Sequence, residues 1–318
     1  MENENIKKGI LFGIIGVVLI SLQPVIANSR PSEIDAFIFA AITALFQAII
    51  FFPLYFIERK RLRLKRENFP EMQDEIENFL RGWKKKQNIR LLSIIGVTFS
   101  IVPVMLFIGY ELAGAINSSL LLKSEVIFAL LFGYLILHEK VSKMQLIFSG
   151  VLFIGLFIAI TQLSFSIEIN SQVILGALIL LIACALFTFI HTLTKTAFDR
   201  KELFPIQVVF IRSLLSGCIL MIFYITIFPV ENLLMIFEPD KFLYFLLMAL
   251  VYGGSLAFWY KTLTYIGIGK ASVINSLTPI ISAFFAFIIL GDIITLYYII
   301  GTIIVIISIL MVVRERKQ

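Results

Sequence analysis

Cysteine and charge are what this sequence has least of. Its two cysteines, Cys184 and Cys218, both fall within apolar stretches. They read as small buried hydrophobes, which excludes a disulfide framework or a cysteine metal pair. Charged residues make up 15% of the chain. Beside 31 Phe, that is too few to keep a globular domain in solution. The phosphate-cradling pattern G-x-x-x-x-G-K-[ST] is absent, which excludes ATP as a direct motor. H-E-x-x-H and G-x-S-x-G are also absent, and no Tyr-Asp pair accompanies Gly291-Asp292, so the known hydrolase signatures have no foothold. No metal or cofactor is expected.

Apolar sequence is what remains. Hydrophobic residues are 59% of the chain and the mean hydropathy is +0.98, against about 45–50% apolar residues in soluble proteins. Ten apolar stretches follow one another, near residues 9–28, 36–56, 91–110, 116–137, 144–163, 173–194, 205–228, 242–260, 271–290 and 295–313. Each has the length to cross a bilayer as a helix. A closed barrel would instead show short alternating segments. The expected fold is an all-α membrane protein of ten transmembrane helices. Lys7-Lys8 before the first run and Val25-Ile26-Ala27 at its end imitate a signal peptide. The run is longer than a signal core, however, and its removal would leave four helices ahead of five, so a retained helix is expected.

The chain repeats itself. At a constant offset of 153 residues, Ser119 meets Ser272, Phe132 meets Phe285, Ile136 meets Ile289, Leu137 meets Leu290, Glu139 meets Asp292 and Ser142 meets Thr295. Residues 115–159 and 268–312 thus read as two copies of one helical hairpin. Duplicated halves of this kind are a transporter architecture. The expected halves are residues 1–163 and 172–318.

Basic residues set the orientation. With ten spans and both termini on the cytoplasmic side, all 27 Lys and Arg except four fall in cytoplasmic segments. Arg30 and Lys241 lie outside, and Lys123 and Arg212 lie within spans. The positive-inside rule selects this orientation. The basic residues therefore belong to topology and not to nucleic-acid binding. Five spans per half is an odd number, so the second half is inverted relative to the first.

Residues 59–90 interrupt the pattern with a strongly charged stretch. Phe69, Met72, Ile76, Phe79, Leu80 and Trp83 recur at helical spacing, and Asn68 with Glu71 marks a helix start. An amphipathic helix on the inner leaflet is expected, serving as a connector or as a regulatory segment.

Ala271-Ser272-Val273-Ile274-Asn275-Ser276-Leu277-Thr278-Pro279-Ile280, followed by Leu290-Gly291-Asp292 and Gly301, resembles the EamA-type domain of the drug/metabolite transporter superfamily. The stretches Ala257–Leu263 and Gly176–Phe187 are similar to the family's eighth and sixth helices, and Arg212 sits where the family often has an arginine. Four departures stand out. The second helix lacks the family's arginine, with Phe39-Ala40-Ala41 near that place. Val126 replaces the proline in the first copy, Phe148 replaces its glycine, and Asp292 replaces glutamate in the second. The resemblance implies a central cavity lined by both halves. It says little about substrate.

Three charges lie deep in the spans: Lys123 and Glu125 in the fourth and Arg212 in the seventh. A charge at that depth costs several kcal/mol unless it faces protein or water, so all three are expected to face the interior. Lys123 and Glu125 are two apart, about 200° around an ideal helix, which argues against a local pair. Arg212 could instead bridge to Glu125 and fix helix packing. Alternatively, the three charges hold a zwitterion, with Lys123 or Arg212 on its carboxylate and Glu125 on its amine. Asn117, Asn275, Ser276 and Thr278 are candidate cavity-lining partners, although hydroxyls in membrane helices often bond back to the helix. Pro279 is a candidate hinge. Glu139 and Asp292 read as structural caps of the helices that follow them. Trp259 and Tyr260 read as an interfacial belt, and His191 as a hydrogen-bonded residue near a helix end.

The expected activity is secondary transport of a small organic metabolite by alternating access, as an exporter or exchanger, with an amino-acid-like or anionic solute and a coupling proton or ion. A passive channel or an intramembrane enzyme is the alternative.

Overall fold

The computed structural model describes residues 2–162, 171–266 and 268–315. Among them, all regular structure is helical. The first half contains α1 (Glu2–Ser29), α2 (Ala36–Asn68), α3 (Gln73–Arg81), α4 (Lys86–Ala113), α5 (Ala115–Leu121), α6 (Glu125–Leu137) and α7 (Lys143–Thr161). The second contains α8 (Ser171–Asp199), α9 (Pro205–Ile227), α10 (Pro239–Tyr265), α11 (Ile268–Asn275), α12 (Thr278–Leu290) and α13 (Leu296–Glu315). Among the described residues ten segments are long and apolar enough to cross a membrane, with α5–α6 forming one and α11–α12 contributing another.

The repeat is visible in local structure. α6 and α12 begin and end at positions separated by the sequence offset. Both end on a left-handed residue, His138 (φ 53°) and Gly291 (φ 73°). Both endings return an amide to the same carbonyl place: Glu139 N to Gly133 O at 3.0 Å, and Asp292 N to Ala286 O at 3.3 Å. This closes the last turn of each helix. The next helix starts on a hydroxyl in each copy. Ser142 forms a reciprocal capping box with Gln145, and Thr295 Oγ1 accepts from Tyr298 N at 3.2 Å.

Packing repeats as well. α1 packs on α10 as α8 packs on α4. α1 packs on α12 as α8 does on α6, and α4 on α9 as α10 does on α2. The pairs α2–α9 and α7–α13 map onto themselves. Exchanging the halves therefore preserves the helix pairing. With an odd number of spans in each half, the molecule is two inverted five-helix repeats around a central cavity. α7 and α13 approach closely at two glycines: a Cβ on Gly301 would lie 2.5 Å from Gly155 O.

The charged stretch between the second and fourth helices departs from its expected form. α2 continues unbroken to Asn68, so Asn68 ends a helix and does not start one. The amphipathic helix is α3, and its Ile76 and Leu80 are buried at 2% and 5% exposure. It docks on the turn joining α8 to α9. A Cβ on Gly82 would lie 2.2 Å from Glu202 O, so backbone meets backbone there. Glu202 gathers Lys85 Nζ at 2.8 Å, Asn88 Nδ2 at 2.8 Å and Arg200 Nε at 2.9 Å. Burial opposes its ionisation, but these donors prevail and hold its carboxyl down at about 2. Lys201 adds an ion pair to Glu75 at 2.6 Å. The stretch is thus a strap linking the two halves on the face that carries the termini.

Candidate functional site

Both hairpin copies break in mid-span. α5 stops at Leu121, residues 122–124 tighten into one 3-10 turn, and α6 resumes at Glu125. α11 stops at Asn275, and α12 resumes at Thr278. Under the repeat offset, Leu122 corresponds to Asn275 and Glu125 to Thr278. Pro279 does not cause the break. It lies in the first turn of α12, where a missing N–H is no loss, and the first copy breaks at the same place with Val126 there. Pro279 O instead accepts from Tyr298 OH at 2.9 Å.

The breaks cross beside a cavity of about 400 Å³. It is lined by α1 (Gly13 to Pro24), by Phe99 and Tyr110 of α4, by the α5–α6 break, by Phe187 to Phe198 of α8, and by Arg212 of α9. Tyr252, Ser255 and Trp259 of α10, the α11–α12 break, and Val312 and Val313 of α13 complete it. One end reaches Lys195, 42% exposed and 3.3 Å from Glu139. That end lies on the face carrying the termini. Towards the opposite face the core is closed. Phe39 packs on Phe107 at 4.7 Å and on Phe245 at 5.8 Å. Beyond them Arg30 pairs with Glu111 at 2.6 Å, and Tyr224 OH donates to Asp35 Oδ2 at 3.2 Å.

Lys123 is 3% exposed. Its Nζ donates to Asn275 O at 3.1 Å and lies 3.7 Å from Glu125 Oε1. Asn275 Nδ2 donates to the same carboxylate oxygen at 3.0 Å. Thr278 Oγ1 donates to Asn275 O at 2.7 Å and to Asn275 Oδ1 at 3.0 Å. The expectation that Lys123 and Glu125 cannot pair locally is therefore wrong. It assumed an unbroken helix, whereas the 3-10 turn at 122–124 re-aims both side chains towards Asn275.

The alternative Arg212–Glu125 bridge is absent as well. Arg212 is 5% exposed, and its guanidinium stacks over Phe99 at 4.3 Å and faces Tyr252 at 5.6 Å. Among the described residues no carboxylate lies within ion-pair distance of it. It lines the cavity, and among the described residues its hydrogen-bonding fork has no partner. His191 stacks on Phe99 at 6.1 Å and lies tilted against Phe187 at 5.7 Å. It lines the cavity and is not a hydrogen-bonded helix end.

The other candidates divide. Asn275, Ser276 and Thr278 line the cavity, although Ser276 Oγ bonds back to Val273 O at 2.7 Å. Asn117 does not line it. Gly114, at φ +78°, ends α4 and frees Ala113 O, which the Asn117 amide takes at 3.0 Å. Glu139 and Asp292 are not the helix caps, because Ser142 and Thr295 hold those places. Asp292 is half-buried outside the spans, and burial raises its carboxyl. Trp259, expected in an interfacial belt, lines the cavity. The Tyr260 side chain lies outside the described residues.

Several cavity residues carried weak sequence signals. Gln23 Nε2 donates to Ser255 Oγ at 3.0 Å across α1 and α10. Tyr110 is 1% exposed, and its hydroxyl has no partner among the described residues. Both are polar groups in otherwise apolar runs, which is the only signal the sequence offers for them.

The comparisons agree with this arrangement. A crystal structure is similar over 98% of both chains, with a TM-score of 0.63 at 11% identity, a likeness of fold alone. A protein of Methanothermobacter thermautotrophicus named as an uncharacterized transporter is 25% identical over 241 residues, 75% of this chain and 67% of that one. The model of the EamA-like transporter family matches residues 7–161 and 174–314, one block for each half, and the chain belongs to that family.

Proposed function

We propose that this protein is a secondary transporter of a small organic solute bearing a carboxylate, working by alternating access as an exporter or exchanger. The observation that carries the reading is Arg212. It is a buried guanidinium with no acidic partner among the described residues, set in the wall of a cavity where two inverted halves meet. An uncompensated buried cation is costly, and a carboxylate solute would satisfy its fork with two parallel bonds. Phe99, Tyr110, Phe187 and Trp259 suit an apolar or aromatic body on that solute. Glu125 Oε1 already meets Lys123 and Asn275, so an amino-acid-like solute would place its amine on the second Glu125 oxygen, and a simple anion fits the site more directly.

Residues 1–163 and 172–318 act as the two repeats in this reading. Both termini and the 59–90 strap are cytoplasmic, following the basic residues, and the cavity is then open to the cytoplasm. A thermal-shift screen of carboxylate metabolites on purified protein tests the proposal, because a solute that binds the folded state raises its midpoint. At least one carboxylate should stabilise wild type and not Arg212→Ala. Stabilisation of both proteins by the same solutes would overturn the assignment of Arg212.

A further inference from the structure

We propose that Lys123 is a built-in coupling cation. Its ammonium occupies, tethered to the chain, the place between the two broken helices that a bound monovalent cation would otherwise take. Transport is then coupled to loss and regain of the Lys123 proton and not to sodium. The proposal rests on the transporter reading.

The geometry is that of a cation site. Asn275 O is the terminal carbonyl of the half-helix α11, and carbonyls at such ends carry partial negative charge. Lys123 Nζ lies 3.1 Å from it and 3.7 Å from the Glu125 carboxylate. Thr278 Oγ1 donates to Asn275 O and to Asn275 Oδ1, which holds the Asn275 carbonyl in place on the other half. The equivalent place in the first half shows what is special here. Leu122 O, the counterpart of Asn275 O, receives the Glu125 amide and the neutral Cys184 thiol, the latter at 3.6 Å, and among the described residues no cation. One half therefore carries the charge, and that charge joins it to the opposite half.

Among the described residues, several helices bring titratable groups to the cavity beside Lys123. Glu125 lies on its own span, Cys184 faces it from α8, and Tyr110 reaches the same cavity from α4. His191 and Lys195 of α8, Arg212 of α9 and Tyr252 of α10 line the same cavity. Loss of the Lys123 proton to cavity water leaves a neutral amine and a proton that escapes through the open end. The ion pair to Glu125 is lost with it, which loosens the link between the two breaks. Reprotonation restores the link. No bond other than N–H is made or broken.

Shortening Lys123 should open the site to a free cation. Purified wild type and Lys123→Ala are compared by thermal unfolding in sodium, methylammonium and choline chloride. Wild type should show the same midpoint in all three. Lys123→Ala should unfold lower in choline and recover by roughly 5 °C in saturating sodium or methylammonium. Adding Glu125→Gln should abolish that recovery. A sodium-dependent midpoint in wild type would contradict the proposal. So would a Lys123→Ala protein that stays at its choline midpoint in every cation. If Lys123→Ala can be purified only in sodium or methylammonium, the proposal is supported; if it is unstable in all three salts, it fails. No transported solute enters this experiment, so its failure would leave the transporter reading standing. Conversely, failure of the carboxylate screen would leave the cation site standing.

Discussion

At the residue scale the account turns on which buried charges are already matched. Lys123 and Glu125 satisfy one another through Asn275, while Arg212 meets, among the described residues, the faces of Phe99 and Tyr252. Arg212→Lys keeps the charge but loses the planar fork and much of the stacking on Phe99. Solute binding should weaken by about tenfold or more, while the solute-free melting midpoint moves little. Isothermal titration of the two proteins with the same solute measures this, and equal affinities would remove Arg212 from the site. The sequence shows that these three charges are interior, because depth alone demands it. It does not show their partners, because partner choice depends on a 3-10 turn at 122–124 that no proline or glycine announces. The symmetric break at 275–278 has Pro279 beside it and so suggests a cause that the first copy disproves.

At the element scale the close contacts are the vulnerable ones. α7 and α13 meet at Gly155 and Gly301, and any Cβ on Gly301 meets Gly155 O or the Ala159 backbone. Gly301→Leu should destabilise the folded protein by about 1–3 kcal/mol through overpacking, read as a lower melting midpoint, whereas Gly150→Ala, in open space, should be neutral. The strap offers a second test. Gly82→Ala collides with the Glu202 backbone and should unseat α3, exposing Ile76 and Leu80 to limited proteolysis.

The Glu202 carboxyl is depressed to about 2, so its contribution is full above the usual carboxylate range and is lost as pH falls towards 2. Wild type should therefore lose melting temperature on acidification over that range, and Glu202→Gln should start lower and lose less. Equal acid sensitivity in the two proteins would deny Glu202 this role. The helices themselves are plain in the sequence, since their apolar runs and the offset between the copies are local signals. The strap's docking is not, because it depends on contact between residues 82 and 202, which no periodicity links.

At the scale of the whole molecule, the proposed transport cycle uses the inverted repeat to give one site two arrangements. The cavity reaches the face of the termini, while Arg30–Glu111 and the Phe39 cluster close the opposite face. Exchanging the roles of the halves would close the first end and open the second, which is how an inverted repeat produces alternating access. Cysteine labelling in intact cells should reach Glu231 from outside and not Lys140; the reverse would overturn the orientation drawn from the basic residues.

The central claim is that opening one end is coupled to closing the other. Distances between spin labels test it most directly, with one pair at exposed positions 140 and 314 beside the open end and another at 33 and 231 on the closed face. In the presence of a stabilising solute the account predicts that the first distance shortens in part of the population and the second lengthens in the same fraction. A single unchanged distance for both pairs, with and without solute, would contradict it.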